Sequence, residues 1–258
     1  MDRATQIGIG AGLATIIGSN VMEGGNPAAL LNIPAIILVF GGTIGAAVAG
    51  GTMHDAKGAV KALITALTWK ATPPGELVPI VVKLADKARR EGLLTLEDAI
   101  ADVDDDFLKR GVSLAVDGTD PEELREILEA EVFAHKAAAK HGAKFFTDMG
   151  GYAPTIGIIG TVMGLVHVLE NLSQPDKLGH LIAGAFIATL WGVLTANVIW
   201  LPIGNRLSRI AELEKGRMEI VVEGVLAVQA GANPRVVAQR LTSLLPAHER
   251  EAAAEKAA

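Results

Sequence analysis

Hydroxyl side chains that could interact with an ion lie inside the apolar stretches of this sequence; they belong to Thr43, Thr155, Thr161, Thr189 and Thr195. A hydroxyl can line a hydrated path or orient an ion, but it does not release a proton at neutral pH. The central parts of these stretches contain no Asp, Glu, Lys or Arg. The nearest acidic residues, Glu23 and Glu170, stand at the ends of the first and third stretches. If the chain handles ions, we expect a partner chain to supply the titrating carboxylate. For any single threonine, the simpler interpretation is a hydrogen bond to a carbonyl of its own helix.

Enzyme, metal and nucleic-acid chemistry are not indicated. The sequence has no cysteine, no phosphate-binding loop, no H-E-x-x-H motif and no nucleophile elbow. A net charge of -6 argues against general nucleic-acid binding. The histidines lack metal-ligand spacing; they are His54, His135, His141, His167, His180 and His248. We therefore predict no catalytic residue, no metal site and no cofactor.

Two further features have both a structural and a functional interpretation. A mixed charge cluster surrounds Gly92, and most such clusters are solvated surface. Pro154 follows the glycine pair at 150–151 at the start of an apolar stretch, where proline is common in the first turn of a helix. The charge cluster comprises Arg89, Arg90, Glu91, Glu97 and Asp98.

Four apolar stretches could position the threonines in a membrane. They cover Ala4–Met22 and residues 28–53, 153–169 and 181–203, and a helix crosses a bilayer with about 20 apolar residues. Half of the residues are hydrophobic. We predict an all-α polytopic membrane protein with four transmembrane helices and a helical cytoplasmic domain, and interpret the first stretch as a retained span, not a signal peptide.

The predicted organisation has four segments. Residues 1–53 form transmembrane helices 1 and 2, and residues 54–150 form the cytoplasmic helical domain. Residues 151–203 form transmembrane helices 3 and 4, and residues 204–258 form a cytoplasmic helical tail. In the cytoplasmic parts, Asp120-Pro121 and Asn233-Pro234 each combine a capping residue with proline, which predicts a helix start.

The distribution of basic residues predicts the orientation. The connection between the first two spans has no basic residue, and that between the last two has only Lys177. The other span ends are rich in lysine and arginine, which places both termini and the middle segment in the cytoplasm. Those basic residues are Arg3, Lys57, Lys61, Lys136, Lys140, Lys144, Arg206, Arg209, Lys215 and Arg217.

The spans also contain three G-x-x-x-G pairs, which allow helix backbones to approach closely. The pairs serve either packing within the chain or contact with other subunits. They are Gly8 with Gly12, Gly41 with Gly45, and Gly160 with Gly164.

The sequence resembles the MotA/PomA family of flagellar stator subunits over nearly its whole length. The resemblance is carried by the start at residues 1–8, the run at 41–43, the charged segment at 89–97, the Pro-Thr-rich run at 153–165, and residues 181–183 and 188–192 of the fourth stretch.

The resemblance implies a ring of five such subunits around two copies of a MotB/PomB-type partner in the bacterial inner membrane. The partner supplies an intramembrane aspartate, the transported ion is H⁺ or Na⁺, and the ring pushes a rotor protein of the FliG type. By position, Pro154, Thr155, Thr161 and Thr189 match the ion pathway. Arg89 (or Arg90 in the alternative register) and Glu97 match the rotor-facing charges, and Pro234 matches a conformational proline.

Three alternatives remain open. An ExbB/TolQ-type energiser of an envelope process is a related ion-driven ring, but it typically has three spans. A self-contained transporter or channel would be expected to carry a charge or a broken helix at mid-membrane. A purely structural membrane scaffold would leave the Pro-Thr pattern unexplained.

Overall fold

Every element that the structure describes is helical, in agreement with the predicted all-α class. The computed structural model describes residues 4–247 and 249–250. The predicted cytoplasmic Arg3 and residues 251–258 of the tail lie outside this range. The described residues form two compact units, unit 1 within Met1–Lys70 and Ala139–Ile210, and unit 2 within Ala71–Ala138 and Ala211–Ala258. The units differ from the four predicted segments, which were divided at the membrane ends.

Unit 1 contains four complete α-helices and parts of two long ones. Helix α7 contributes its residues from 139 onward, and helix α9 contributes its residues up to 210. The elements are α1 Ala4–Met22, α2 Ile33–Ala49, α3 Met53–Thr68, α7 Pro121–Glu170, α8 Pro175–Thr195, a π-helical turn Ala196–Trp200 and α9 Leu201–Gln229.

The second apolar stretch is a shorter helix than predicted. Pro27–Leu30 forms a separate 3₁₀ turn, and α2 starts only after Asn32, whose side chain accepts a hydrogen bond from Ala35 N at 3.1 Å. Helix α2 ends at Ala49, and a new helix, α3, starts shortly afterwards at a capping box formed by Thr52 and Asp55. The predicted span of residues 28–53 therefore reduces to a helix of 17 residues.

The third and fourth apolar stretches belong to long continuous helices. Helix α7 has 50 residues and passes through Gly150 and Gly151 without a break, so Pro154 lies inside the helix and not in a first turn. Because proline has no N–H, it leaves the carbonyl of Gly150 without its usual helical donor. The fourth stretch lies within the 55-residue run Pro175–Gln229, which continues through the π-helical turn.

By length and apolarity, two described helices could cross a membrane, Pro121–Glu170 and Pro175–Gln229. Helix α2 is apolar but shorter. In helix α1 none of the 19 residues is buried, although the helix is largely apolar. That α1 and α2 also cross the membrane therefore stays a prediction.

The core of unit 1 joins α3 to α7 and α9. Phe146 of α7 stacks on Trp200 with ring centroids 6.5 Å apart, and Phe40 of α2 meets Trp200 edge-on at 5.8 Å. Small residues allow the helices around these rings to pack closely. The buried cluster comprises Ala47, Ala59, Ala66, Ala143, Phe146, Met149, Ile203 and Leu207.

Unit 2 is a helical domain with an apolar core. Asp120 accepts a hydrogen bond from Glu122 N at 2.9 Å, which confirms the predicted helix start at Pro121. The core includes the fully buried Leu96, Leu108, Leu124, Leu128 and Leu241. The helices are α4 Leu77–Glu91, α5 Leu96–Ala99, α6 Asp106–Val116, residues 121–138 of α7, residues 211–229 of α9, and α10 Pro234–Leu244.

A buried ion pair links α6 to α9 within unit 2. Asp105 caps α6 by accepting a hydrogen bond from Leu108 N at 2.8 Å, and its other oxygen pairs with Arg217. The Asp105 side chain is only 4% exposed, so water cannot replace Arg217. The same carboxylate therefore satisfies a helix end and a half-buried guanidinium.

We predict that Asp105→Ala destabilises the protein by about 3 kcal/mol, because it removes a helix cap and leaves Arg217 without its buried partner. Thermal unfolding of the purified protein measures the effect. The matched control is the exposed neighbour Asp104→Ala, for which we expect almost no change. Equal melting temperatures for the two variants would contradict the role assigned to the ion pair.

Candidate functional site

Helices α7 and α8 approach each other at backbone distance in unit 1. A Cβ atom on Gly192 would lie 2.5 Å from the carbonyl oxygen of Ala153, and one on Gly157 would lie 2.9 Å from that of Ala188. Gly160 and Gly164 continue the contact, because their Cβ atoms would meet the alanine side chains of α8 at 2.6 and 2.5 Å. The predicted Gly160/Gly164 pair thus packs within the chain.

The other glycine pairs behave differently. A Cβ atom on Gly12 would lie 3.2 Å from Val198, whereas Gly8, Gly41 and Gly45 have nothing within 4 Å of that position. The surface of α1 and α2 at these three glycines is therefore not covered by other parts of the chain that the structure describes.

Two of the predicted ion-pathway residues meet at the α7–α8 contact. The hydroxyl of Thr161 hydrogen-bonds to that of Thr189. Thr161 Oγ1 also lies 3.1 Å from the carbonyl oxygen of Ala185, and Thr189 Oγ1 lies 3.2 Å from that of Gly157. Both threonines are half-buried. The result is a cluster of four oxygens, here called the oxygen cluster: Thr161 Oγ1, Thr189 Oγ1, Gly157 O and Ala185 O.

The oxygen cluster can interact with a cation or with a carboxyl group without titrating. Its two hydroxyls carry one proton each, and every oxygen has lone pairs that can accept. Rotation of a hydroxyl changes it from donor to acceptor, so the cluster suits either protonation state of a neighbouring carboxyl group. Oxygen ligands without net charge are also compatible with a hard cation.

The remaining threonines are tied to their own helices. Thr155 is exposed and donates to the carbonyl of Tyr152 at 2.8 Å, and the buried Thr195 donates to that of Trp191 at 2.8 Å. Thr43 is fully buried, and its hydroxyl has no hydrogen-bond partner among the described residues. The simpler interpretation therefore holds for Thr155 and Thr195, whereas Thr161 and Thr189 each bond to the facing helix.

Pro154 lies one turn before Gly157, next to this helix contact, and is half-buried.

Two features that support the α7–α8 contact had no signal in the sequence. Trp191 Nε1 donates to the carbonyl of Leu30 at 2.8 Å, which fixes α8 to the turn before α2. The π-helical turn at Ala196–Trp200 adjusts the register of the α8–α9 run.

The predicted rotor-facing residues lie at one corner of unit 2. Arg89 and Arg90 occupy the last turn of α4, which ends at Gly92. Gly92 has φ of +92°, a backbone conformation that glycine adopts without strain, and the chain then turns back so that α5, which carries Glu97, contacts α4. All three charged side chains are exposed.

The two arginines differ in their ion pairing. Arg90 Nε contacts Asp86 Oδ1 at 3.0 Å, one turn earlier in α4. Arg89 and Glu97 have no ion pair within residues 4–247 and 249–250. Of the three predicted rotor-facing side chains, Arg89 and Glu97 are therefore the two without an ion pair among the described residues.

Pro234 starts helix α10, as predicted, with Asn233 as the cap. Helix α10 packs on α4 through the buried Val237 and Leu241. Arg240 of α10 pairs with Glu223 of α9.

Glu223 also receives a hydrogen bond from Arg125 of α7 at 3.1 Å, and this carboxylate raises the pKa of Arg125. Glu223 thus connects three helices of unit 2. Through α10, it also supports the helix that carries Arg89.

Within the described part of the chain, no group of three or more histidine or acidic side chains could hold a metal ion. The predicted site residues thus form two arrangements, the oxygen cluster and the α4–α5 corner.

Two family models match the chain. The MotA/TolQ/ExbB proton channel family matches residues 99–220, and the Motility protein A N-terminal family matches residues 6–92. Together they cover most of the sequence.

Curated relatives align over almost the full length. The chain is 41% identical to Motility protein A of Bacillus subtilis, with 99% of this chain and 95% of the relative covered. It is 34% identical to Chemotaxis protein PomA of Vibrio alginolyticus, with 95% and 96% covered.

Two solved structures have the same fold. The flagellar MotAB stator complex from Bacillus subtilis matches with a TM-score of 0.89 and 40% identity, covering 95% of this chain and 97% of that one. The C. jejuni MotAB structure matches with a TM-score of 0.91 and 28% identity, covering 96% and 97%.

We predict that Gly192→Ala lowers stability by about 3 kcal/mol or more, because the added methyl group collides with the backbone of α7 and overpacking is costly. Thermal unfolding of the purified protein measures this effect. Gly179→Ala on the same helix is the matched control, since its Cβ position is open. A Gly192→Ala protein as stable as the control would show that the backbone contact is not required.

Proposed function

Because this chain belongs to the MotA/TolQ/ExbB proton channel family as a MotA-type flagellar stator subunit, we propose that it couples ion flow across the inner membrane to torque on the rotor. The transported ion is H⁺ or Na⁺. The observation that carries the proposal is the oxygen cluster, which joins α7 and α8 in stretches that contain no Asp, Glu, Lys or Arg. A wall of this kind can guide an ion but cannot store a proton.

The proposed membrane arrangement has four crossings with both termini in the cytoplasm. They are α1, α2, residues 153–169 of α7 and residues 181–203 of the α8–α9 run. The two long apolar helices support the last two crossings. Exposed apolar side chains on the first two, such as Ile7, Ile17 and Ile37, support contact with lipid or with other subunits.

The proposed assembly is a ring of five copies around a dimer of a MotB-type partner. The solved relatives are MotAB complexes, which supports a partner of this type. Exposed apolar residues on α7 and α8, among them Ile158, Val162, Phe186 and Leu190, leave surface for such contacts. The partner contributes the aspartate that this chain lacks.

The proposed coupling depends on the ability of the two hydroxyls in the oxygen cluster either to donate or to accept a hydrogen bond. When the partner's aspartate is ionised, the hydroxyls of Thr161 and Thr189 can donate to it, and when it is neutral they can accept from it. Neutralising a charge in a site of low dielectric constant changes its interactions by several kcal/mol. Five equivalent, non-titrating subunits respond by moving to the next equivalent position, and Pro154 gives α7 a local freedom to adjust.

Torque is proposed to leave the subunit at the α4–α5 corner, where Arg89 and Glu97 meet charges on a rotor protein of the FliG type. Their exposure and lack of internal ion pairs support this role. Pro234 sets the start of α10, which supports α4 from behind. The match of residues 6–92 to the Motility protein A N-terminal family favours the motor over an ExbB/TolQ-type energiser.

We predict that Thr189→Val reduces ion flow about tenfold while the complex still assembles, because it removes a hydrogen-bonding group worth about 1–1.5 kcal/mol from the ion path. Ion flow is measured as the pH or sodium response of cells that overproduce the complex, and function as swimming speed.

Thr195→Val is the matched control, since the hydroxyl of Thr195 bonds only to carbonyls of its own helix. Normal ion flow and normal swimming in Thr189→Val would remove the ion-path role of this residue.

We predict that Arg89→Glu and Glu97→Lys each impair torque without reducing ion flow, because the reversed charges repel the rotor. Arg90→Glu should have a smaller effect, since Arg90 is already paired with Asp86. Rotation of tethered cells measures torque. Reversal of the exposed Glu126 controls for a change in net charge. A loss of ion flow in either corner variant would count against the rotor assignment.

A further inference from the structure

Helix α3 presents an exposed face that unit 1 does not cover. The apolar side chains of Met53, Val60 and Ile64 are 64%, 64% and 56% exposed. Lys57 and Lys61 are exposed as well. The spacing of these five residues places them on one side of a helix. We call them the α3 face.

The opposite side of the helix explains why the α3 face stays uncovered. Ala59 and Ala66 belong to the buried core of unit 1, and the Ala62 methyl group lies 3.1 Å from the Cβ position of Gly142 on α7. Helix α3 thus packs on α7 through its small residues. The larger apolar side chains of the α3 face lie on the opposite side, which is exposed.

The charge of the α3 face is positive. The only acidic residue of α3 is Asp55, and its carboxylate accepts hydrogen bonds from Thr52 N at 2.9 Å and Thr52 Oγ1 at 2.7 Å. These bonds lower the pKa of Asp55 and hold its charge at the helix start, away from Lys61. The two lysines are thus the charges available to an external partner.

The position of α3 in the chain indicates where that partner lies. Helix α2 ends at Ala49, and the capping box starts α3 at Met53. If α2 crosses the bilayer, α3 begins within a few residues of the membrane surface. A helix with exposed apolar side chains between lysines is typical of helices that lie in the headgroup layer.

We propose that the α3 face binds the anionic phospholipids of the cytoplasmic leaflet. This proposal rests on the proposed function only in requiring that α2 crosses the membrane. Met53, Val60 and Ile64 enter the upper part of the acyl region, while Lys57 and Lys61 contact phosphate and other anionic headgroup oxygens. Long lysine side chains reach such groups from a partly buried helix. The contact holds the cytoplasmic end of α2 at a fixed depth.

The size of the effect follows from general membrane electrostatics. Each lysine near an anionic surface strengthens binding about fivefold, so the pair contributes about 25-fold, and added salt weakens this part. A zwitterionic lipid retains only the apolar contact. Anionic and neutral lipids of the same chain length therefore separate the two contributions.

The test uses the full-length protein purified with its partner chain in a neutral detergent. The complex is titrated with mixed micelles containing either phosphatidylglycerol or phosphatidylcholine, and native mass spectrometry counts the bound lipids and the protein copies. Three proteins are compared: the wild type, Lys57→Gln/Lys61→Gln, and the control Lys83→Gln/Lys87→Gln. The control removes two lysines with the same spacing from α4.

We expect the wild type and the control to prefer phosphatidylglycerol, and the Lys57→Gln/Lys61→Gln complex to lose about 25-fold in affinity for it. Its affinity for phosphatidylcholine should not change. In a second variant, Met53→Ser/Val60→Ser/Ile64→Ser, both lipids should bind more weakly.

Equal binding of the two lipids to the wild type, or an unchanged preference in the lysine variant, would overturn the proposal. Loss of protein copies from the lysine variant, with lipid binding intact, would identify a neighbouring copy as the occupant and would also overturn it. The lipid titration tests only the α3 face, whereas the proposed function is tested separately by ion flow in the wild type and in Thr189→Val. Failure of one proposal can therefore be distinguished from failure of the other.

Discussion

The backbone contact between α7 and α8 at Gly157 and Gly192 is the constraint on which the oxygen cluster depends. A hydroxyl reaches only a short distance from its backbone, so Thr161 and Thr189 can bond to each other, and to carbonyls of the facing helix, only where the helices lie this close. The same closeness leaves no space for larger polar side chains. At this contact, close packing thus both excludes larger polar side chains and brings the four oxygens together.

Unit 2 contains many charged side chains, some of which pair with each other between helices, whereas others remain unpaired at the surface. Asp105 with Arg217, and Glu223 with Arg125, join helices, and their partial burial makes them sensitive to the loss of either partner. Arg89, on the last turn of α4, and Glu97, on the short helix α5, remain at the surface, and α10 packs on α4. The proposed transmission of force at this corner requires a rigid base, which the paired charges between the helices provide.

Much of this organisation could be predicted from the sequence, because it depends on local signals. The apolar run Ala4–Met22 is a helix with those bounds, and the proline-based starts at Pro121 and Pro234 are confirmed. Local signals failed where packing outweighs them. Two glycines and Pro154 predict a helix boundary, but α7 continues through them, and Leu201 packs directly against Gly150. The second apolar stretch looked longer than α2 because composition does not show that Asn32 and Thr52 start separate helices. The family resemblance placed Thr161 and Thr189 on the ion pathway, but neither their mutual hydrogen bond nor the π-helical turn had a signal in the sequence.

The central claim is that this subunit forms an uncharged intramembrane wall whose ion acceptor belongs to another chain. The most direct test is cation flux into liposomes that contain the purified protein alone, compared with liposomes that contain it with its MotB-type partner under the same ion gradient. The account predicts selective flux only when the partner is present, and none when the partner's membrane aspartate is replaced by asparagine. A sustained, selective cation flux through the protein alone would contradict it.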